Sequence, residues 1–325
     1  MDNLVIMNYN NHEEHVLHEN PYIAEVTLHL EARYPHRLVQ LSPIDIAVIA
    51  SGLQEVQEKY GEASDVPLKY HGIRHTRDVW EDYCMYADIL GLGSDEFVDG
   101  GIAVTHHDWE QLLGPGANET ASAIEVQRVM SATGYDEGRQ MHSANCVLAT
   151  EVVFDEQGKL IQKHLKTFGP DTTILAVTLA DMNGITIRGE QTMIDHAFRL
   201  ALELSGMQFY QLKKDPSRFI DMLKNQYTYV RARLSTLEDA VRFHVPDQEK
   251  ASGILGELDA RYATQSSRAI NAAKSLYESI SNHHDQVSRR IGSYASKAMD
   301  EAEFLRKMTG YTTRQALARI ARKNS

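Results

Sequence analysis

Thr172-Thr-Ile-Leu-Ala-Val-Thr-Leu-Ala-Asp181-Met182 is apolar over nearly its whole length and decides the fold class. Such a run suits a buried helix, although Thr-Ile-Leu-Ala-Val-Thr can pass for a strand. The surrounding chain argues for the helix. Ile44–Tyr60 places Ile46, Val48, Ile49 and Leu53 on one side, and Val79–Leu90 and Thr120–Ala132 read the same way. Asp195–Leu204 and Phe219–Leu237 continue the pattern. Leu148–Lys163 is less clear, since Val152-Val-Phe can extend a helix while Asp155-Glu-Gln-Gly158 breaks one. Strands do not alternate with helices, and no Gly-rich phosphate loop is present. The class expected is all-α.

Further along, Phe243-His-Val-Pro246-Asp-Gln marks a boundary, because proline disfavours a helix running through it. Ala251–Lys307 follows as one or two long amphipathic helices, with a hairpin placed near Asn282-His-His-Asp285. Three regions are therefore expected: an N-terminal helical or irregular extension over 1–65, a catalytic domain over 66–245, and C-terminal amphipathic helices over 246–325. The C-terminal helices are the place for a packing or homo-oligomer interface.

The 325 residues, 42% hydrophobic and 24% charged, are those of an ordinary globular protein. No apolar run approaches the roughly 18 residues needed to span a bilayer. The start Met1-Asp-Asn-Leu-Val-Ile-Met lacks a basic region and a long apolar stretch, so a cytoplasmic protein is expected. Cys84 and Cys146 lie far apart in apolar surroundings and read as core thiols. The net charge of −12 argues against general nucleic-acid binding, and it is uneven. From Leu255 onward, 12 Lys and Arg against 7 Asp and Glu give +5, which leaves −17 for the rest. An acidic body repels phosphate-bearing molecules unless a bound cation reverses the local field.

Three segments carry metal-type residues. In Tyr70-His-Gly-Ile-Arg-His-Thr-Arg-Asp-Val79, His71 and His75 share one face if helical. Ala103-Val-Thr-His-His-Asp108 ends an apolar approach in adjacent ligand types, and Asp181 terminates the apolar run quoted first. A buried, unpaired carboxylate there is costly, and a cation removes the cost. Two imidazoles and two carboxylates suit zinc, iron or manganese.

In this order and spacing the segments resemble the HD superfamily, whose pattern is His…His-Asp…Asp, and within it the cyclic nucleotide phosphodiesterases. Tyr70-His71-(x)3-His75-Thr-(x)-Asp-Val79 resembles the start of their ligand helix. His107-Asp108 followed by Gly114-Pro-Gly-Ala-Asn118 is similar to their His-Asp-…-Pro-Gly-…-Asn. Val147-Leu-Ala-Thr-Glu151 and Leu179-Ala-Asp-Met-Asn183 have counterparts too, and the likeness runs from about Tyr70 to about Leu237. It implies an HD-type helical bundle and a phosphohydrolase of nucleotide phosphoesters, cyclic mononucleotide phosphodiesters among the candidates. His75, His107, Asp108 and Asp181 would ligate a first divalent ion (Zn, Mn, Mg or Fe). Asp108 would bridge to a second, and His71 would be the general acid. Gln226 and, three residues on, Tyr229 match the pair that pairs with and stacks on a purine.

The chain also departs from that pattern. Where the phosphodiesterases carry another His supporting the second ion, it has Glu110-Gln-Leu-Leu-Gly. Glu119 and Glu125 are substitutes in principle but read as solvated carboxylates. His106 reads as structural, and His142 and His164 as surface residues. Arg188, Arg231 and Arg233 are cations available to a phosphate, and His12, His15 and His18 read as a polar loop. The rival readings are a di-iron HD-type oxygenase, needing His142 or His164 as ligands, and a catalytically silent scaffold binding a nucleotide or partner protein.

Overall fold

The computed structural model describes residues 20–61, 68–154, 156 and 160–309. His12, His15 and His18 lie outside these residues. The described chain is all-α, apart from one small hairpin. Its elements are α1 (Pro21–Arg33), α2 (Pro35–Leu38), α3 (Pro43–Tyr60), α4 (Ile73–Leu90), α5 (Ser94–His106), α6 (Ala117–Ala132) and α7 (Glu137–Leu148). Then come β1 (Val152–Phe154), β2 (Leu160–Gln162), α8 (Thr172–Ile187), α9 (Glu190–Ser205), α10 (Phe209–Leu212), α11 (Ser217–His244), α12 (Gln248–Lys297) and α13 (Glu301–Thr309).

Local chemistry sets the helix ends. Ser42 and Asp45 close a capping box on α3, with Pro43 at the first helical position. Asp136 caps α7, and Asp247 caps α12 by accepting from Glu249 N and Lys250 N. The unclear stretch after Leu148 is the hairpin, with Val152 opposite Gln162 in an antiparallel pair.

The apolar run Thr172–Met182 lies in α8. Ile174, Leu175, Ala176, Val177, Leu179 and Ala180 are all buried. The helix is apolar on every side because it lies between α4, α5 and the C-terminal helices. Its threonines cost little: Thr178 Oγ1 donates to Ile174 O at 2.9 Å, within the helix.

Two apolar cores are present. The first runs from Tyr22 to Ala180, takes in Cys84 and Cys146, and is completed by Val241, Val245, Ile254 and Leu258. The second is built from Met193 to Val230 and from Ala269 to Met308. Both α11 and α12 therefore contribute to each core. Between them, α11 stops at His244, and Val245 leaves the helical region ahead of Pro246.

The hairpin expected near Asn282–Asp285 is absent. Only His283 leaves helical geometry (φ −141°, ψ 36°), kinking α12 without reversing it. Tyr277 packs on Tyr227, His284 faces Asp221, and Gly292 approaches the Leu212 carbonyl. Contacts thus move steadily back along the antiparallel partner. Ala269, Ala273, Leu276, Ile280, Val287 and Ile291 keep one apolar face on the second core through the kink, so nothing favours a turn.

Candidate metal centre

Three helices deliver the quartet. His75 is in the first turn of α4, His107 and Asp108 follow the end of α5, and Asp181 lies within α8. The α5 end is pressed against α3: a Cβ on Gly52 would stand 2.6 Å from the Thr105 carbonyl oxygen. Glycine at this crossing lets His107 and Asp108 reach the interior.

The ligand atoms converge. His75 Nε2 is 3.4 Å from Asp108 Oδ2 and 3.4 Å from Asp181 Oδ1. His107 Nε2 is 3.3 Å and 3.7 Å from the same two oxygens. His75, His107 and Asp108 are buried, and Asp181 is largely so. His75 Nε2, His107 Nε2 and Asp108 Oδ2 are nevertheless without a hydrogen-bond partner. His107 Nδ1 lies 2.7 Å from the Val104 carbonyl and donates to it, which leaves Nε2 facing the carboxylates. Lone pairs aimed at anions in a buried space are unfavourable unless a proton or cation lies between them. Adjacent ligands about 2.1 Å from an ion are roughly 3.0–3.4 Å apart, close to the spacings here. The donor set fits a divalent cation. Burial works against a charged imidazole, yet Asp108 and Asp181 push His107 up to about 9. The same imidazoles, outweighing burial, hold Asp181 well below the usual carboxylate range.

His71 differs from its expected placement. It sits in the turn before α4, one residue ahead of the Gly72 cap, not on the helix with His75. The rings still meet, with centroids 5.5 Å apart. His71, His75 and Asp108 also bring ligand-type atoms within 4.8 Å of one another. His71 Nδ1 contacts Glu203 Oε1, and Glu203 Oε2 accepts from Lys69 N and Tyr70 N at 2.7 and 2.8 Å. One carboxylate therefore clamps the whole turn. Burial would lower the His71 pKa, but Glu203, then Asp108 and Asp181, outweigh it and push it up to about 10. Glu203 was missed in the sequence. It lies 132 residues from His71, in a helix whose pattern marks it only as polar.

The remaining residues sort by partner. His106 is fully buried with Nδ1 2.8 Å from Ile102 O, which is a structural role. His142 bridges Asp99 and Asp171 at 2.9 and 3.0 Å, and His164 meets Glu151 at 3.1 Å. Each differs from the surface residue expected, being partly buried and committed to carboxylates outside the quartet. Glu125 is not solvated but buried against Arg128, and Glu119 accepts from Gly116 N at 2.6 Å to cap α6. Arg188 is engaged by Asp78, Glu81 and Asp82, which removes it as a phosphate ligand. Arg231 lies over Tyr227, and the side chain of Arg233 is outside those described. Gln226 is 3% exposed, donates to Met222 O at 3.2 Å and leaves Oε1 unpartnered. Tyr229 is half-buried against the second core. The structure thus gathers the quartet and His71, and places Gln226 and Tyr229 with the second core.

No described helix is long and apolar enough to cross a membrane. The chain matches no family profile, no curated protein and no solved structure.

Proposed function

We propose that this protein is a metal-dependent phosphohydrolase that cleaves a nucleotide phosphoester, with cyclic mononucleotides the first substrates to test. One observation carries the reading: the unpartnered Nε2 atoms of His75 and His107 each lie 3.3–3.7 Å from the carboxylates of Asp108, whose Oδ2 is unpartnered too, and Asp181, with a further carboxylate-backed histidine beside them. His75, His107, Asp108 and Asp181 would hold the ion. When bound, a divalent cation would polarise a phosphoryl oxygen and acidify a water.

The chain's own residues account for the proton. Hydrolysis adds the oxygen of water to phosphorus and breaks the bond to an alkoxide leaving group, which must gain a proton. Glu203 holds the Nδ1 side of His71, so the imidazolium gives up its Nε2 proton to the leaving oxygen. The proton surplus from water then restores His71. His71 is anchored through its own backbone amide as well, which accounts for its fixed aim. Gln226 and Tyr229 lie with the second core, so the reading of a purine clamp rests on their spacing alone. The oxygenase reading is disfavoured, because the histidines it would recruit are tied to other carboxylates.

The test is hydrolysis of cyclic mononucleotides, linear nucleotides and an aryl phosphodiester with manganese, zinc or magnesium. His75→Ala and Asp108→Ala are run alongside. Metal-dependent turnover lost in both variants is expected. Stoichiometric metal without cleavage of any phosphoester would return the site to a binding role.

A further inference from the structure

We propose that Asp78 positions the His75 ring for metal: a water behind the ring accepts from Nδ1 and donates to Asp78, which leaves Nε2 to the ion. This rests on the metal centre described above. An imidazole that gives one nitrogen to a cation carries its proton on the other, and that N–H needs an acceptor. His107 has one in the Val104 carbonyl, 2.7 Å from Nδ1. His75 is 4% exposed, and its Nδ1 has no hydrogen-bond partner among the described residues. A buried donor left in that state is costly.

His75 borders a small cavity, with Tyr70, Asp78, Asp195 and His196 among the other residues lining it. Since Nε2 is turned to Asp108 and Asp181, Nδ1 is the polar atom the ring has left for that space. The room is about that of one water, and polar groups surround it, as a buried water requires.

Asp78 is the acceptor beyond the water. It lies three residues after His75 on α4, so the two side chains share a face. Its carboxylate is fixed: Oδ1 accepts from Arg188 Nη1 at 2.6 Å, and Oδ2 lies 3.5 Å from His196 Nε2. Arg188 Nη2 also donates to the Asp78 carbonyl at 2.7 Å. His196 Nδ1 lies 3.5 Å from the Tyr70 hydroxyl, and the Tyr70 ring packs on His75 with centroids 4.5 Å apart. Asp195, the other carboxylate on the cavity, stands on α9 and already takes both Arg74 and Arg199 at 3.0 Å. Arg188 thereby serves the centre, by holding the carboxylate behind one of its ligands.

The experiment is zinc binding by the full chain, read by competition with a chromophoric chelator, together with imidazole nitrogen NMR of the zinc-loaded protein. Wild type, Asp78→Ala and Asp82→Ala are compared; Asp82 shares Arg188 with Asp78 but does not line the cavity. In wild type, His75 is expected to carry its proton on Nδ1, with a nuclear Overhauser contact to a bound water. Asp78→Ala should bind zinc about 10–100-fold more weakly, the range for loss of a group that orients a ligand. Asp82→Ala should bind it as wild type does. Equal weakening in the two variants, or unchanged affinity in Asp78→Ala, overturns the role of Asp78. A His75 proton on Nε2, or on Nδ1 without a water contact, overturns it even if neither variant folds. Wild type that binds no zinc removes the metal centre itself, and with it any role for Asp78 there.

Discussion

His71 and Glu203 carry the sharpest consequence at the residue scale. Glu203 is held down to about 2, against the effect of burial, chiefly by His71, so the pair is an imidazolium–carboxylate contact over a wide pH range. For an alkyl phosphodiester, His71→Asn is expected to lower kcat by roughly 10²–10⁴-fold, the usual range for a general acid. For an aryl ester, whose leaving group needs no proton, the loss should be small, and comparing the two substrates separates acid catalysis from binding. Glu203→Gln removes the charge that raises the His71 pKa. The alkaline limb of the kcat profile should therefore move to lower pH, because the imidazolium is lost sooner. A limb that stays in place would remove His71 as its origin. His71 itself was legible from its place before His75, whereas Glu203 reaches it only through the packing of α9 on the turn before α4.

Two elements carry tests of their own. The first is the crossing of α3 and α5, where Gly52→Ala would drive a methyl into the Thr105 carbonyl, a backbone atom unable to move aside. Overpacking of this kind costs roughly 1–3 kcal/mol. It should also shift His107 and Asp108 enough to weaken metal binding, as thermal melting and metal titration would reveal. The second is the start of α8, where Asp171 accepts from Thr173 N and Ile174 N and is bound to His142. Hydrogen bonds to Asp171 and Asp99 push His142 up to about 10 from 6.5. A raised histidine pKa stabilises fully below about pH 6.5 and stops doing so as pH passes about 10. Asp171, taken to about 2 by His142 despite burial, loses its share only as pH falls through about 2. His142→Gln should therefore destabilise by about 1–2 kcal/mol near pH 6, allowing for partial exposure, and much less above pH 10. Equal losses at both pH values would exclude the charged clamp.

At the scale of the whole molecule, the two cores share α11 and α12, so the chain beyond Pro246 is not a detachable appendage. Val241, Ile254 and Leu258 finish the first core, and Ala272, Leu276, Ile280 and Ile291 form a wall of the second. A chain ending at Val245 should expose both and lose cooperative melting; retention of a sharp transition would show that the first core stands alone. The proposed ion would couple to the same stability. At 100 times its Kd a ligand of the native state adds about 2.7 kcal/mol. Manganese should raise the melting temperature and a chelator should reverse the rise, with neither effect in His75→Ala.

Helical period, the break at Pro246 and the ligand types at His75, His107, Asp108 and Asp181 were determined by sequence, because each is a matter of local spacing or conformational preference. The quartet was legible because buried carboxylates and histidines at the ends of apolar stretches need a partner wherever the fold takes them. Tertiary structure alone decided the rest. It set His71 in a turn against Glu203, tied His142 to Asp99 and Asp171, and carried α12 through its kink without a reversal. The physical reason is common to these cases. Which partner satisfies a polar side chain, and which apolar face finds cover, depends on groups brought together across more than a hundred residues or by the packing of neighbouring helices. Periodicity records only that a partner or cover is needed.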